Sequence, residues 1–194
     1  MKPQLLELFP SPVMVIDYEG EELATITREI ELALASIELK LDDTRHQVRT
    51  SYSAGKSNDI ATHGLFQLKQ CIEEAQLSYQ QRVGVKPQML KLSESWVNEY
   101  GVGGYMSEHE HPGMTISGVY YHQADSACGA LVFRNPNPLM LNCHWPGREL
   151  EYYQTAPIPV VPGRMIIFPS WMAHAASTIK SQQVTKISIS FNLQ

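Results

Sequence analysis

The second half of the chain consists of short strand-like segments separated by turn-forming residues. From residue 89 onwards, apolar and β-branched runs alternate with clusters that contain Gly, Pro or Asn. The candidate strands cover residues 89–100, 105–111, 116–122, 129–133, 151–155, 164–168, 173–178 and 184–193. About eight short strands at this spacing are typical of a β-sandwich or barrel. The pattern therefore predicts a mostly β fold of the α+β class.

The first half contains two helical patterns and one short strand, over 11–17. Within 21–40 and 65–83, apolar residues recur at spacings of three and four, which gives each helix one apolar stripe. The stripes comprise Leu23, Ile26, Ile30, Leu34 and Ile37 in the first helix, and Leu65, Leu68, Ile72, Ala75 and Tyr79 in the second. We expect both stripes to pack on the protein core. The polar segment 42–62 is a candidate lid.

Chain length supports a single domain. The chain has 194 residues, which is enough for one sizeable core and scarcely for two. We predict one domain over 1–194, in which 1–88 form a helical N-terminal support and 89–194 form the β core. The net charge of −5 argues against binding nucleic acid through bulk electrostatics.

The sequence predicts a cytoplasmic protein. The three cysteines, Cys71, Cys128 and Cys143, form an odd count without paired spacing, which indicates reduced thiols. No stretch approaches the roughly 20 apolar residues of a membrane span, and residues 1–9 lack the apolar core of a signal peptide. A zinc site at Cys143 and His144 is disfavoured because no CxxC motif accompanies the pair.

Three histidines are spaced so that a strand-rich fold can bring them together. Residues i and i+2 of a strand share a face, so His109 and His111 can converge while Glu110 points away. His174 follows an apolar strand and a proline-containing turn, and can supply a third imidazole from across a sandwich. Three neutral imidazoles suit a first-row divalent metal with open coordination positions. The alternative reading of the first two is a pair of surface histidines.

The last strand alternates strictly between polar and apolar residues. One face carries Lys186, Ser188, Ser190 and Asn192, and the other carries Ile187, Ile189 and Phe191. Two arrangements fit this pattern. Either the polar face lies in water, or it lines a barrel interior while the apolar face packs on the helices.

These segments resemble the Fe(II)- and 2-oxoglutarate-dependent oxygenases of the double-stranded β-helix fold, a cupin-like jelly roll. More closely, they resemble a small family of 2-oxoglutarate/Fe(II) oxygenases with an HxH…H metal motif. The resemblance covers about half the chain and rests on 96–98 (WVN), 109–112 (HEHP), 117–121 (SGVYY), 129–133 (GALVF), 163–174 (with FPSW before the final His) and 188–192 (SISFN).

The resemblance implies a jelly roll with the two N-terminal helices packed on its outer face. It implies an enzyme that uses Fe(II), 2-oxoglutarate and O2, and that couples hydroxylase-type C–H oxidation to decarboxylation of 2-oxoglutarate to succinate. It also implies that His109, His111 and His174 bind the iron and are the catalytic residues. The wider superfamily uses two histidines and one carboxylate, so His111 stands where that carboxylate is usual.

The resemblance further implies a cation for the far carboxylate of 2-oxoglutarate near the start of the last strand. The predicted cosubstrate-binding residues are Lys186, Ser188, Tyr120 and Asn192. Tyr120 and Tyr121 are neighbours on one strand, so only one of them can face the cavity. The predicted walls of the substrate pocket are Trp96, Asn98, Tyr105 and Trp171. Alternative anchors for the carboxylate are Arg134 and Arg164.

Three other functions fit the same residues. The first is a three-histidine cupin dioxygenase that works without 2-oxoglutarate, and the second is a zinc hydrolase, since three histidines with an open position also describe catalytic zinc. The third is a jelly-roll binding module without activity. The primary substrate, either a protein side chain or a small molecule, is left open by the sequence, and so is a homodimer. No membrane association is expected.

Overall fold

The computed structural model describes residues 11–52, 58–137 and 154–194. The helices in these ranges are α1 (Gly20–Leu34), α2 (Asp59–Thr62) and α3 (Phe66–Arg82). The strands are β1 (Met14–Asp17), β2 (Lys40–Leu41), β3 (Val48–Thr50), β4 (Leu92–Tyr100), β5 (Met106–His109), β6 (Ile116–Gln123), β7 (Ala130–Arg134), β8 (Thr155–Pro159), β9 (Arg164–Pro169), β10 (His174–Ala176) and β11 (Lys186–Leu193). None of these helices is both long and apolar enough to cross a membrane.

The strands form two antiparallel sheets. The larger sheet has seven strands in the order β1-β9-β6-β11-β4-β3-β2, and the smaller has four in the order β5-β10-β7-β8. The last strand of the chain, β11, therefore lies at the centre of the larger sheet, between β6 and β4. This arrangement is the double-stranded β-helix, or jelly roll, that the sequence predicts.

Two apolar clusters hold the layers together. On the outer side of the larger sheet, Ile26 of α1 and Ile72 of α3 pack in one cluster with Ile189 and Phe191 of β11. Between the two sheets, a second cluster includes Tyr121, Leu131, Phe133, Ile166 and Phe168. The helices thus cover the outer face of the larger sheet, and its inner face is turned towards the smaller sheet.

Of the two arrangements that fit the alternating sequence of β11, the structure has the one in which the polar face lines the interior of the roll. Its apolar residues pack under the helices, and the polar Lys186, Ser188 and Asn192 are buried on the inner side. Close packing on the helix side also explains Gly118 in β6, where a Cβ would collide with the ring of Phe191. The sheet therefore keeps a buried polar surface inside the roll.

Three predicted elements differ from the structure. The first helix ends at Leu34 rather than near residue 40, and Ile37 is buried after the helix has ended. The predicted loop 42–62 contains β3 and α2, because β3 pairs with the edge of β4, a long-range contact that local composition does not reveal. The strand predicted at 151–155 begins outside the described residues, and β8 starts at Thr155. Cys143 and His144 also lie outside them.

Candidate metal centre and active site

His109, His111 and His174 come together between β5 and β10. His174 is the register partner of His109 across these two strands, and the backbone N–H of His111 donates to the Ser170 carbonyl at 3.0 Å. One ring nitrogen from each histidine lies within 4.8 Å of the others. Within the described part of the chain, this cluster contains no carboxylate. Glu108 instead forms an ion pair with Arg134.

Backbone carbonyls fix two of the three imidazoles in a ligand form. Nδ1 of His109 lies 2.9 Å from the Ser107 carbonyl, and Nδ1 of His174 lies 2.8 Å from the Met172 carbonyl. A carbonyl oxygen only accepts, so each Nδ1 carries the hydrogen and each Nε2 keeps a lone pair for a metal. The donor set therefore fits a divalent first-row metal.

Burial keeps the three imidazoles neutral. It is the largest cause that lowers the pKa of His111 to about 3 and the pKa of His174 to about 4, and it also lowers the pKa of His109. The neighbouring histidines lower the pKa of His111 further. Neutral imidazole is the form that binds metals, so no proton has to be displaced at neutral pH.

The imidazole of His111 is contacted by a side chain of the last strand, β11. The amide nitrogen of Asn192 lies 3.3 Å from Nδ1 of His111. Asn192 is itself fixed, because it accepts a hydrogen bond from Ser117 at 2.8 Å and donates one to Glu94 at 3.1 Å. Asn192, which the sequence predicts to contact the cosubstrate, therefore contacts one of the three clustered histidines.

The histidines open onto a cavity of about 190 Å³ between the two sheets. This volume is below the roughly 300–1,000 Å³ of pockets for drug-sized ligands, so it suits a small molecule. Its lining includes Trp96, Asn98, Tyr121, Lys186, Ser188 and Asn192 together with the three histidines. A metal at the histidines and a small ligand in the cavity would be in direct contact.

Lys186 forms a buried cationic end of this cavity. Its side chain is 1% exposed, and its Nζ lies 3.8 Å from the centre of the Tyr100 ring. Burial lowers the pKa of Lys186 to about 8, and no ion pair found among the described residues involves it. A buried ammonium without a counter-ion is costly and becomes favourable when an anion binds.

The structure does not bring every predicted site residue to the cavity. Tyr120 is the register partner of Ile189, so it shares the helix side of the sheet and packs in the outer cluster. Tyr120 therefore does not reach the cavity, contrary to the prediction of a cosubstrate contact, and the neighbouring Tyr121 lines the cavity. Tyr105 is 42% exposed and does not line the cavity, and Trp171 lies at a separate surface groove beside β1.

Two charged residues in the cavity wall escaped the sequence analysis. Arg45, from the turn between β2 and β3, and Glu94, from β4, both line it. The only sequence signal for Arg45 is its place within the candidate lid. The alternative anchors lie elsewhere, since Arg164 pairs with Asp17 at 2.7 Å and Arg134 pairs with Glu108.

Fold and site together define a metal-dependent enzyme with a jelly-roll core and a trihistidine centre. The family model described as "Putative 2OG-Fe(II) oxygenase" matches residues 94–192, half of the chain. The protein therefore belongs to this 2OG-Fe(II) oxygenase family, whose enzymes take Fe(II) as the metal, 2-oxoglutarate as cosubstrate and O2 as oxidant. No curated protein sequence matches the chain.

Solved structures confirm the fold. A 2OG-Fe(II) oxygenase family oxidoreductase from Burkholderia pseudomallei aligns with TM-score 0.62 and 12% identity, over 94% of this chain and 84% of that one. A Pseudomonas putida prolyl-4-hydroxylase aligns with TM-score 0.61 and 12% identity, over 95% and 92%. HygX from Streptomyces hygroscopicus, solved with nickel, 2-oxoglutarate and hygromycin B, aligns with TM-score 0.59 and 10% identity, over 94% and 83%.

Proposed function

We propose that this protein is a hydroxylase-type oxygenase that oxidises a C–H bond of its primary substrate while 2-oxoglutarate is decarboxylated to succinate. One observation carries the proposal: the trihistidine cluster and the buried ammonium of Lys186 face the same small cavity. A dicarboxylate with a keto-acid end matches this pair, because one end binds metal and the other neutralises the lysine.

The side chains have distinct roles in this proposal. His109, His111 and His174 hold the metal: burial keeps all three imidazoles neutral, and backbone carbonyls keep Nε2 of His109 and His174 free. Bound Fe(II), with 2-oxoglutarate and O2, supplies the oxidising chemistry. Lys186 holds the far carboxylate, and Ser188 and Tyr121 line the same space. The chain's main contribution is to position the reactants and exclude water.

The trihistidine shell changes the charge of the centre. A shell of two histidines and one carboxylate contributes one negative charge, whereas three neutral imidazoles contribute none. A metal held by these three histidines would therefore keep its full positive charge until an anion binds. Although the Glu94 carboxylate also lines the cavity, the buried ammonium of Lys186 adds a second positive charge, and together with the metal it favours the anionic 2-oxoglutarate over a neutral ligand.

A visible charge-transfer band on anaerobic addition of Fe(II) and 2-oxoglutarate tests this function. The wild-type protein is expected to show the band and to release succinate when O2 is admitted. His174→Ala should lose both, whereas the matched variant His63→Ala should keep them, because His63 lies outside the cavity and contacts Ser36. No band in the wild type, or full activity in His174→Ala, would refute the proposal.

Lys186→Met separates this function from the three-histidine dioxygenase that needs no 2-oxoglutarate, since only the 2-oxoglutarate-dependent enzyme would lose its cosubstrate.

We further propose that residues 1–194 form one oxygenase-like domain, located in the cytoplasm. A protein side chain or a small molecule serves as primary substrate in this proposal, and nucleic acid does not. A homodimer remains an open proposal that light scattering decides.

A further inference from the structure

Arg45 brings a second positive charge to the cavity, from outside the segment that the family model matches. It lies in the turn between β2 and β3, and its side chain lines the cavity together with Tyr100, His109 and His111. Its Nε is held by Asp42 at 3.0 Å. Asp42 in turn accepts hydrogen bonds from the backbone N–H and the hydroxyl of Thr44, at 2.9 and 2.6 Å. The turn therefore fixes the direction of the guanidinium.

One nitrogen of this guanidinium has no partner within the described ranges. Nη1 of Arg45 is buried from solvent and finds no hydrogen-bond acceptor among the described residues. A buried, unpaired N–H of a charged group costs free energy unless a ligand accepts from it. Arg45 thus carries an unused donor in the wall of the cavity.

The position of Arg45 indicates an anion close to the metal. Its side chain lines the same cavity as His109 and His111. A guanidinium in the same cavity wall as a metal with only neutral ligands would be repelled by that metal. The arrangement becomes favourable when an anion lies between them and is shared by both.

We propose that Arg45 binds the metal-proximal carboxylate of the cosubstrate, so that the protein holds both carboxylates of 2-oxoglutarate with separate cations. This inference rests on the proposed function. Lys186, at 1% exposure, takes the far carboxylate, and the more exposed Arg45 side chain takes the carboxylate next to the keto group. Its planar, forked group suits a carboxylate better than an ammonium does.

Binding of two keto acids distinguishes the roles of the two cations. The ligands are 2-oxoglutarate and 2-oxovalerate, which has the same keto-acid end but a methyl group where the far carboxylate would be. Dissociation constants are measured without air, from the charge-transfer band of the Fe(II) protein. Arg45→Gln is expected to weaken both ligands by the same factor, roughly 10- to 100-fold. Lys186→Met is expected to weaken 2-oxoglutarate alone.

Controls keep the result independent of folding. Arg49→Gln makes the same change on the same hairpin, where Arg49 pairs with Glu99 outside the cavity, and should leave both constants unchanged. Arg45→Lys retains the charge but loses the fork, and should weaken both ligands less than Arg45→Gln. Metal affinity, measured separately, should stay within about threefold of wild type in each variant.

The possible outcomes are distinct. An equal loss for both ligands in Arg45→Gln supports the proposal. A loss for 2-oxoglutarate alone would assign Arg45 to the far carboxylate, and no loss for either would show that Arg45 does not bind the cosubstrate. Each result overturns the proposal but leaves the oxygenase function intact. Failure of the wild type to bind 2-oxoglutarate would remove the oxygenase function and this inference together.

Discussion

The ammonium of Lys186 lies 3.8 Å above the ring of Tyr100, at the buried end of the cavity. The two residues are register partners across β11 and β4, so the sheet itself holds the cation over the aromatic face. A cation–π contact offsets part of the desolvation of the ammonium, but burial still lowers the pKa of Lys186 to about 8. Lys186 therefore destabilises the ligand-free protein and prepares it to bind an anion.

Removing this cation should stabilise the ligand-free protein. In the unfolded chain Lys186 titrates near 10.5, and in the folded chain near 8. The folded state thus binds fewer protons between these values, so stability rises with pH from about 8 to about 10.5, and below 8 the full cost applies. That cost is up to about 3 kcal/mol. We expect Lys186→Met to raise the melting temperature at neutral pH and Lys180→Met, at an exposed lysine, to leave it unchanged. A lower melting temperature for Lys186→Met would contradict this.

The affinity for 2-oxoglutarate should fall at alkaline pH. Below about pH 8 Lys186 is charged in the free protein. A bound carboxylate acts against the effect of burial and raises the pKa of Lys186 again. Affinity is therefore highest below pH 8, and it declines by up to tenfold per pH unit above that value until the pKa of the complex is reached. The charge-transfer titration measures it. Lys186→Arg should flatten the decline, because arginine stays protonated throughout.

The adjacent tyrosines provide a matched pair of variants. Tyr121 lines the cavity, whereas Tyr120 packs under the helices with a buried hydroxyl that has no partner among the described residues. Tyr121→Phe should weaken 2-oxoglutarate binding by roughly threefold to tenfold, the worth of one neutral hydrogen bond. Tyr120→Phe should leave binding unchanged and raise stability slightly, because it removes an unpaired buried polar group. Equal effects of both variants on binding would contradict the assignment of faces.

Asn192 should influence the metal through His111. Its amide nitrogen lies 3.3 Å from Nδ1 of this histidine, and loss of a side chain that orients a ligating histidine typically lowers metal affinity by roughly 10- to 100-fold. We expect Asn192→Ala to show this loss in a competition titration with Co(II). Asn192→Asp should retain more affinity, because a carboxylate oxygen beside Nδ1 accepts its hydrogen and leaves Nε2 free for a metal, whereas the amide nitrogen of Asn192 can only donate. Ser190→Ala, two residues away on the same face, serves as the control, and an equal loss there would argue against a specific role for Asn192.

Much of the fold followed from local pattern. The stripes of α1 and α3, with Ile26, Ile30, Leu68 and Ile72, identified both helices, and the alternation from Lys186 to Asn192 identified the last strand. Spacing alone also predicted that His109 and His111 lie together, although β5 ends at His109 and His111 follows the strand. These features depend on residues close in the chain, where helix and strand periodicity directly sets which side chains lie together.

Tertiary structure decided the rest, because each remaining question concerned which element faces which. Only the pairing of β6 with β11 assigned Tyr121 to the cavity and Tyr120 to the helices. Only the pairing of β3 with β4 brought Arg45 to a site whose other residues lie far along the chain. The sequence determined the helix and strand periodicities and the candidate metal ligands. Long-range strand register determined which faces of the sheets meet around the cavity, because local periodicity is the same for either face of a sheet.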